Sequence, residues 1–276
     1  ASSFSTSNNT AVGHGSLNAN TAGNNTALGY HASFANTTGT ANVAMGAYAL
    51  DANQTSSNNT ALGYNSLTNN TAGNNTAVGY KSLEANTTGA DNTAVGTGAL
   101  TANTTASNNV AVGKDAMNDT TTGSNNTAVG YNALTTNTTG DQNTAVGVDA
   151  MKLLTTGQYT TAVGAEALAS ATTSTWSTAV GRRCLYRVTT GNNNTAVGQG
   201  CAQHITTGYE NVAMGNDALQ NCTTGNYNCT IGRQACANTT GSYNTALGTF
   251  ALKGASSVCT GSNNVACGSY NLDQFT

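Results

Sequence analysis

Apolar residues return along this chain every seventeen positions, each time just before a glycine. The glycines are Gly13, Gly29, Gly46, Gly63, Gly79, Gly96, Gly113, Gly130, Gly147, Gly164, Gly181, Gly198, Gly215, Gly232, Gly248 and Gly268, and the preceding slot holds Val, Leu, Met, Ile or Cys. Three of the steps are sixteen residues long and the last is twenty. A period this short cannot enclose a core of its own, so each copy is one coil of a solenoid whose stacked coils bury a shared interior. Counting from the glycine as position zero, positions −3 to −1 read Thr/Val, Ala, Val, as in Thr127-Ala128-Val129, an alternation that predicts a strand. A small residue at +3 followed by Leu or Met at +4 (Leu67, Leu83, Leu100, Met117, Leu134, Met151) predicts a second strand. Thr-Thr-Gly, as in Thr87-Thr88-Gly89 and Thr138-Thr139-Gly140, then closes the coil with a turn glycine. The predicted fold class is all-β, a parallel β-solenoid of sixteen coils with about 17 residues each. Residues 1–7 form a lead-in, 8–268 a single repeat domain and 269–276 a C-terminal end. With coils about 4.8 Å apart, the expected rod is roughly 70 to 80 Å long.

Position −2 is alanine in all coils but one, with Ala77, Ala94, Ala111, Ala128 and Ala145 in the middle of the run. An outward stripe open to water would tolerate larger side chains, so something packs closely on it. One assignment places the Val row in the core and the alanine stripe against a neighbouring subunit. The reverse assignment, with alanines lining a thin core and the Val row turned to a partner, satisfies the same pattern. Both need two packed faces, and both predict self-association of a rod with little core per chain. Position −4 is Asn in fourteen coils, among them Asn126 and Asn143, which predicts a ladder of side-chain amides bonded from coil to coil.

Composition changes the picture in two ways. Only 7% of residues are charged and proline is absent, which in an aperiodic chain would suggest disorder; here the fixed return of apolar slots argues for structure. A net charge of −3, with eight scattered Lys and Arg, excludes nucleic acid as a partner. Arg182, Arg183 and Arg187 form the one basic cluster, and a local salt-bridge role is expected of it. No run of about 18 apolar residues is present, so no membrane insertion is expected.

The repeat Asn74-Asn75-Thr76-Ala77-Val78-Gly79-Tyr80-Lys81-Ser82 resembles the head repeat of trimeric autotransporter adhesins. The longer form from Asn125 to Gly140 is similar to repeats of bacteriophage tail fibres that precede an intramolecular chaperone domain. The resemblance covers roughly residues 8 to 272. It implies a left-handed β-roll, a homotrimer intertwined or side by side, and a structural fibre or adhesin shaft of a virion tail fibre or of the extracellular cell surface, serving attachment to a host glycan or receptor. Neither the chaperone domain nor a coiled-coil stalk nor a membrane anchor is present in this sequence.

Candidate chemistry is sparse. Tyr30, Tyr64, Tyr80 and Tyr131 share position +1 and could present a glycan-binding face. Asp149, Glu166 and Arg183 share position +2 in successive coils and should stack; an exposed charge ladder is expected rather than a catalytic acid pair. His14, His31 and His204 are read as occupying different slots of distant coils, so no metal site or catalytic dyad is expected, and no cofactor. All seven cysteines lie in the last third, mostly in small apolar slots, and Cys184 and Cys201 are stacked closely enough for a possible disulfide. The expected protein is not an enzyme. The alternatives are another kind of extracellular filament subunit, an ice-binding solenoid with ordered Thr rows, and a polysaccharide depolymerase.

Overall fold

The computed structural model describes residues 8–254 and 260–271; the lead-in at 1–7, Cys259 and most of the C-terminal end lie outside the described residues. The chain is an all-β parallel solenoid with one three-residue strand per coil, and no helix among the described residues. It divides into two compact units at Thr139 and Gly140, while the repeat period runs on through the division. The first unit holds β1 (Thr10–Val12), β2 (Thr26–Leu28), β3 (Val43–Met45), β4 (Thr60–Leu62), β5 (Thr76–Val78), β6 (Thr93–Val95), β7 (Val110–Val112) and β8 (Thr127–Val129). The second holds β9 (Thr144–Val146), β10 (Thr161–Val163), β11 (Thr178–Val180), β12 (Thr195–Val197), β13 (Val212–Met214), β14 (Cys229–Ile231), β15 (Thr245–Leu247) and β16 (Val265–Cys267). Within each unit every strand pairs in parallel with the next, in register, so that Ala77 faces Ala94 and Ala94 faces Ala111.

The strand ends where the glycine begins. Gly79 has φ of 137°, a conformation that only glycine adopts readily, and a Cβ there would lie 2.5 Å from the carbonyl oxygen of Gly96 in the next coil. Glycine is therefore needed twice, for the turn and for the close approach of stacked backbones.

The predicted second strand is absent. Positions +2 and +4 take left-handed backbone angles instead, as in Lys81 (φ 58°) and Leu83 (φ 51°), and so does position −5, as in Asn74 (φ 62°). Each such residue costs about 1–2 kcal/mol when it is not glycine. The compensation is hydrogen bonding all the way round the coil. Lys81 N–H donates back to Tyr64 O at 3.0 Å, whereas Leu83 and Ala85 N–H donate forward to Ala99 O and Thr101 O at 3.1 and 3.0 Å. The left-handed residues direct their N–H groups along the stacking direction, while Ser82 N–H turns back within its own coil to Gly79 O at 3.4 Å.

Of the two assignments open from the sequence, the structure has the orientation of the second, alanines inward and the Val row outward. Ala77, Ala94, Ala111, Ala128 and Ala145 are fully buried within their own chain, facing Leu83, Leu100, Met117, Leu134 and their equivalents, which come round from the turn wall and fill the interior. The Val row, expected in the core under the first assignment, faces outward, with exposures of 55% at Val12, 43% at Leu28 and Leu62, and 37% at Val95 and Val129. The reason is spacing: a turn wall that supplies a Leu or Met in most coils leaves room for little more than a methyl from the strand.

The asparagine ladder forms as expected, and each carboxamide spans two coils. Asn109 Oδ1 accepts from Asn126 N–H at 2.8 Å and Asn109 Nδ2 donates to Gly123 O at 2.9 Å; Asn143 does the same with Thr160 N–H and Gly157 O. A threonine ladder at +8 runs beside it, with Thr87 Oγ1 donating to Thr104 O at 2.8 Å and Thr104 Oγ1 to Thr121 O at 3.1 Å.

Candidate functional site

Three surface features follow from this stacking. Positions −3 and −1 of every strand make an outward sheet face of Thr, Val, Leu and Met, as in Thr93 and Val95 of β6. Its −1 row is apolar, its −3 row is mostly threonine, and neither row carries a charged residue. Contiguous exposed apolar surface of this kind marks interaction sites in soluble proteins.

The second feature is aromatic. Tyr30, Tyr64, Tyr80 and Tyr131 are all exposed, at 46%, 46%, 51% and 46%. They do not form one row. Tyr30, Tyr64 and Tyr80 belong to an array in the first unit that the shared +1 slot did not reveal in full, because His31, Phe34 and Tyr48 join it from other slots. Tyr30 stacks on His31 at 4.2 Å, meets Tyr48 edge-on at 5.4 Å, and Tyr48 meets Tyr64 edge-on at 6.1 Å. Tyr64 then stacks on Tyr80 at 5.8 Å. Tyr131 lies apart, with the Lys114 ammonium 5.3 Å over its ring. Rings stacked on each other spend their faces on each other and present edges and hydroxyls to solvent. His14 and His31, read from the sequence as distant, come from successive coils and stack at 5.9 Å. His204 is apart from both; burial and then the Arg187 charge hold its imidazole below the ordinary value. Among the described residues no group of His, Cys, Asp and Glu could hold a metal ion. A second aromatic row, missed by the sequence reading, occupies positions usually held by Asn before the strand: Tyr159 stacks on Trp176 at 6.1 Å and Tyr227 on Tyr243 at 4.9 Å.

The third feature is charged and concave. Asp149, Glu166 and Arg183 are brought together as their shared +2 slot predicted, and they line a cavity of about 430 Å³ in the second unit with Lys152, Leu153, Ala169, Ser170 and Tyr186. Lys152 Nζ lies 3.3 Å from Asp149 Oδ1, and Arg183 Nε donates to Glu166 Oε2 at 2.6 Å. The Glu166 carboxylate holds the Arg183 guanidinium above its usual pKa, and that guanidinium sits 5.6 Å from the Tyr186 ring centre. The salt-bridge role expected of the basic cluster is thus filled by Arg183. Lys152 and Tyr186 escaped sequence reasoning because they stand at +5, a different slot from the acids.

The cysteines carry no disulfide among the described residues. Cys184 and Cys201, the predicted candidate pair, are free buried thiols, and Cys184 Sγ donates to Ala196 O at 3.2 Å. Hydrogen bonding to Cys184 and burial raise the Cys201 pKa, and burial pushes Cys222 up to about 11 and Cys236 up to about 12. Thiols held protonated in this way are packing groups, not nucleophiles.

Fold and surface together define the class, a parallel β-solenoid repeat protein with an exposed apolar sheet face. No family model matches the sequence, and no curated protein matches it.

Proposed function

We propose that the chain is a structural segment of an extracellular fibre, the shaft of a viral tail fibre or a cell-surface appendage, which assembles as a homotrimer and contributes to attachment at a glycan-bearing surface. The observation that carries this reading is the outward Thr/Val face, whose −1 position is apolar in every strand of a chain with 7% charged residues. A face repeating at one coil spacing is matched in register by another copy of itself. The alanine stripe, buried inside its own chain, is not the contact surface of this assembly. The reading is non-enzymatic, supported by the ion pairing of both cleft acids, Asp149 and Glu166.

Sedimentation of the full chain tests it. A trimer is expected, and Val95→Asp with Val112→Asp should dissociate it while leaving the circular dichroism unchanged. A wild-type chain that stays monomeric at micromolar concentration overturns the assembly. The second reading, ice binding, has one observation in its favour: Thr and Val rows lie side by side on the open face. Thermal hysteresis by a monomeric chain would select it.

A further inference from the structure

We propose that the cleft of the second unit is a subsite for a neutral hexopyranose of a surface polysaccharide. The inference rests on the attachment reading above and moves the glycan contact away from the stacked tyrosines.

The shape argument starts from one slot. Position +5 holds Lys152, Ala169 and Tyr186 in three successive coils, a large, small, large sequence with buried Ala169 as the floor. With coils about 4.8 Å apart, the missing middle side chain leaves a slot one coil thick, which suits a pyranose ring entering edge first. Its volume, about 430 Å³, falls within the range of small-molecule sites.

The chemistry argues for a neutral sugar. Two carboxylates and two cations line the cleft, so their formal charges cancel and no net field selects an anion or a cation. Charged groups nevertheless make the stronger hydrogen bonds, carboxylates accepting from sugar hydroxyls and Lys152 and Arg183 donating to hydroxyl and ring oxygens. The ion pair of Glu166 with Arg183 bridges neighbouring coils, whereas that of Lys81 with Glu84 stays within one coil. Exposed Leu153 and the half-buried Tyr186 ring add an apolar wall for the C–H face of a sugar.

Calorimetric titration of the full chain with three sets of hexasaccharides tests the proposal: neutral (maltohexaose, cellohexaose, mannohexaose), acidic (hyaluronan) and basic (chitosan). At least one neutral hexamer should bind, with the acidic and basic ones weaker by about tenfold or more. Ala169→Phe, which fills the slot, should weaken binding by about tenfold, and Glu166→Gln should also weaken it should the filled variant not fold. Tyr80→Ala, in the other unit, should leave affinity unchanged. Absence of binding by every neutral hexamer, preference for a charged one, or affinity that survives a folded Ala169→Phe overturns the proposal. A wild-type trimer that binds no sugar overturns this inference alone, whereas a sugar-binding monomer overturns the homotrimer alone.

Discussion

Asp51 stands where the equivalent slot in other coils carries Thr68, Thr101 or Asn118, and its Oδ1 is buried with no hydrogen-bond partner. Burial raises its pKa above the ordinary 3.8, with the His31 charge acting in the opposite direction. A carboxyl whose folded pKa is raised binds its proton more readily when folded, so stability is fully present below 3.8 and is lost as pH rises through the folded value. Asp51→Asn removes the buried charge. It should raise the thermal midpoint at pH 7, and the difference from wild type should vanish at about pH 3, where Asp51 is protonated in both states. A midpoint gain that persists unchanged at low pH would place the effect elsewhere than in the carboxylate. The same scale explains the left-handed leucines: Leu83 and Leu100 accept an unfavourable backbone angle because it points their side chains into the interior and leaves their N–H groups bonded to the next coil.

Among the elements, the inner asparagine ladder at +7 shows what a repeat gains and loses by a single change. Asn86 Nδ2 donates to Asn70 Oδ1 and Asn103 Nδ2 to Asn86 Oδ1, both at 2.7 Å and fully buried. The next coil carries Thr120 in place of Asn, and there the ladder breaks: Asn103 Oδ1 and Thr120 Oγ1 are both buried without a partner. Thr120→Asn would supply an Nδ2 donor where other coils already accommodate the same residue. It should stabilise the protein by about 1 kcal/mol, read as a higher denaturant midpoint at unchanged slope. A further break accompanies the shortened coil that ends at Gly79, where Asn70 Nδ2 turns to Ala72 O at 2.7 Å and Asn53 Oδ1 is left unpaired.

Across the whole molecule, the two units share a period but differ in the buried residues at position +7. In the first, position +7 is largely asparagine, from Asn20 and Asn36 to Asn86 and Asn103; in the second it becomes Leu154, Ala171, Val188, Ile205 and Cys222, all fully buried, before Thr239. At this position the first unit carries a column of amides and the second mainly apolar side chains. Ile205→Asn would bury an amide between Val188 and Cys222 with no ladder to join, and should cost about 3 kcal/mol in denaturant unfolding. A smaller loss than the typical surface substitution would mean that the interior admits water.

The period, the parallel stacking, the turn glycines and the outer asparagine ladder were legible in the sequence because each depends on residues at fixed offsets from one glycine, and stacking repeats every local relation coil after coil. Asp149, Glu166 and Arg183 were legible for the same reason, sharing one slot in three coils. Alternation along Thr-Ala-Val determined that alanine and valine face opposite ways. It did not determine which way is inward. That was decided by the turn wall, which brings Leu and Met round to the alanine side in most coils and leaves little space beyond a methyl. The turn conformation itself, the aromatic arrays drawn from several slots, and the cleft formed where Ala169 falls between Lys152 and Tyr186 were likewise decided by the tertiary structure, because each arises between different positions of neighbouring coils, a relation that depends on how the coil closes rather than on its period.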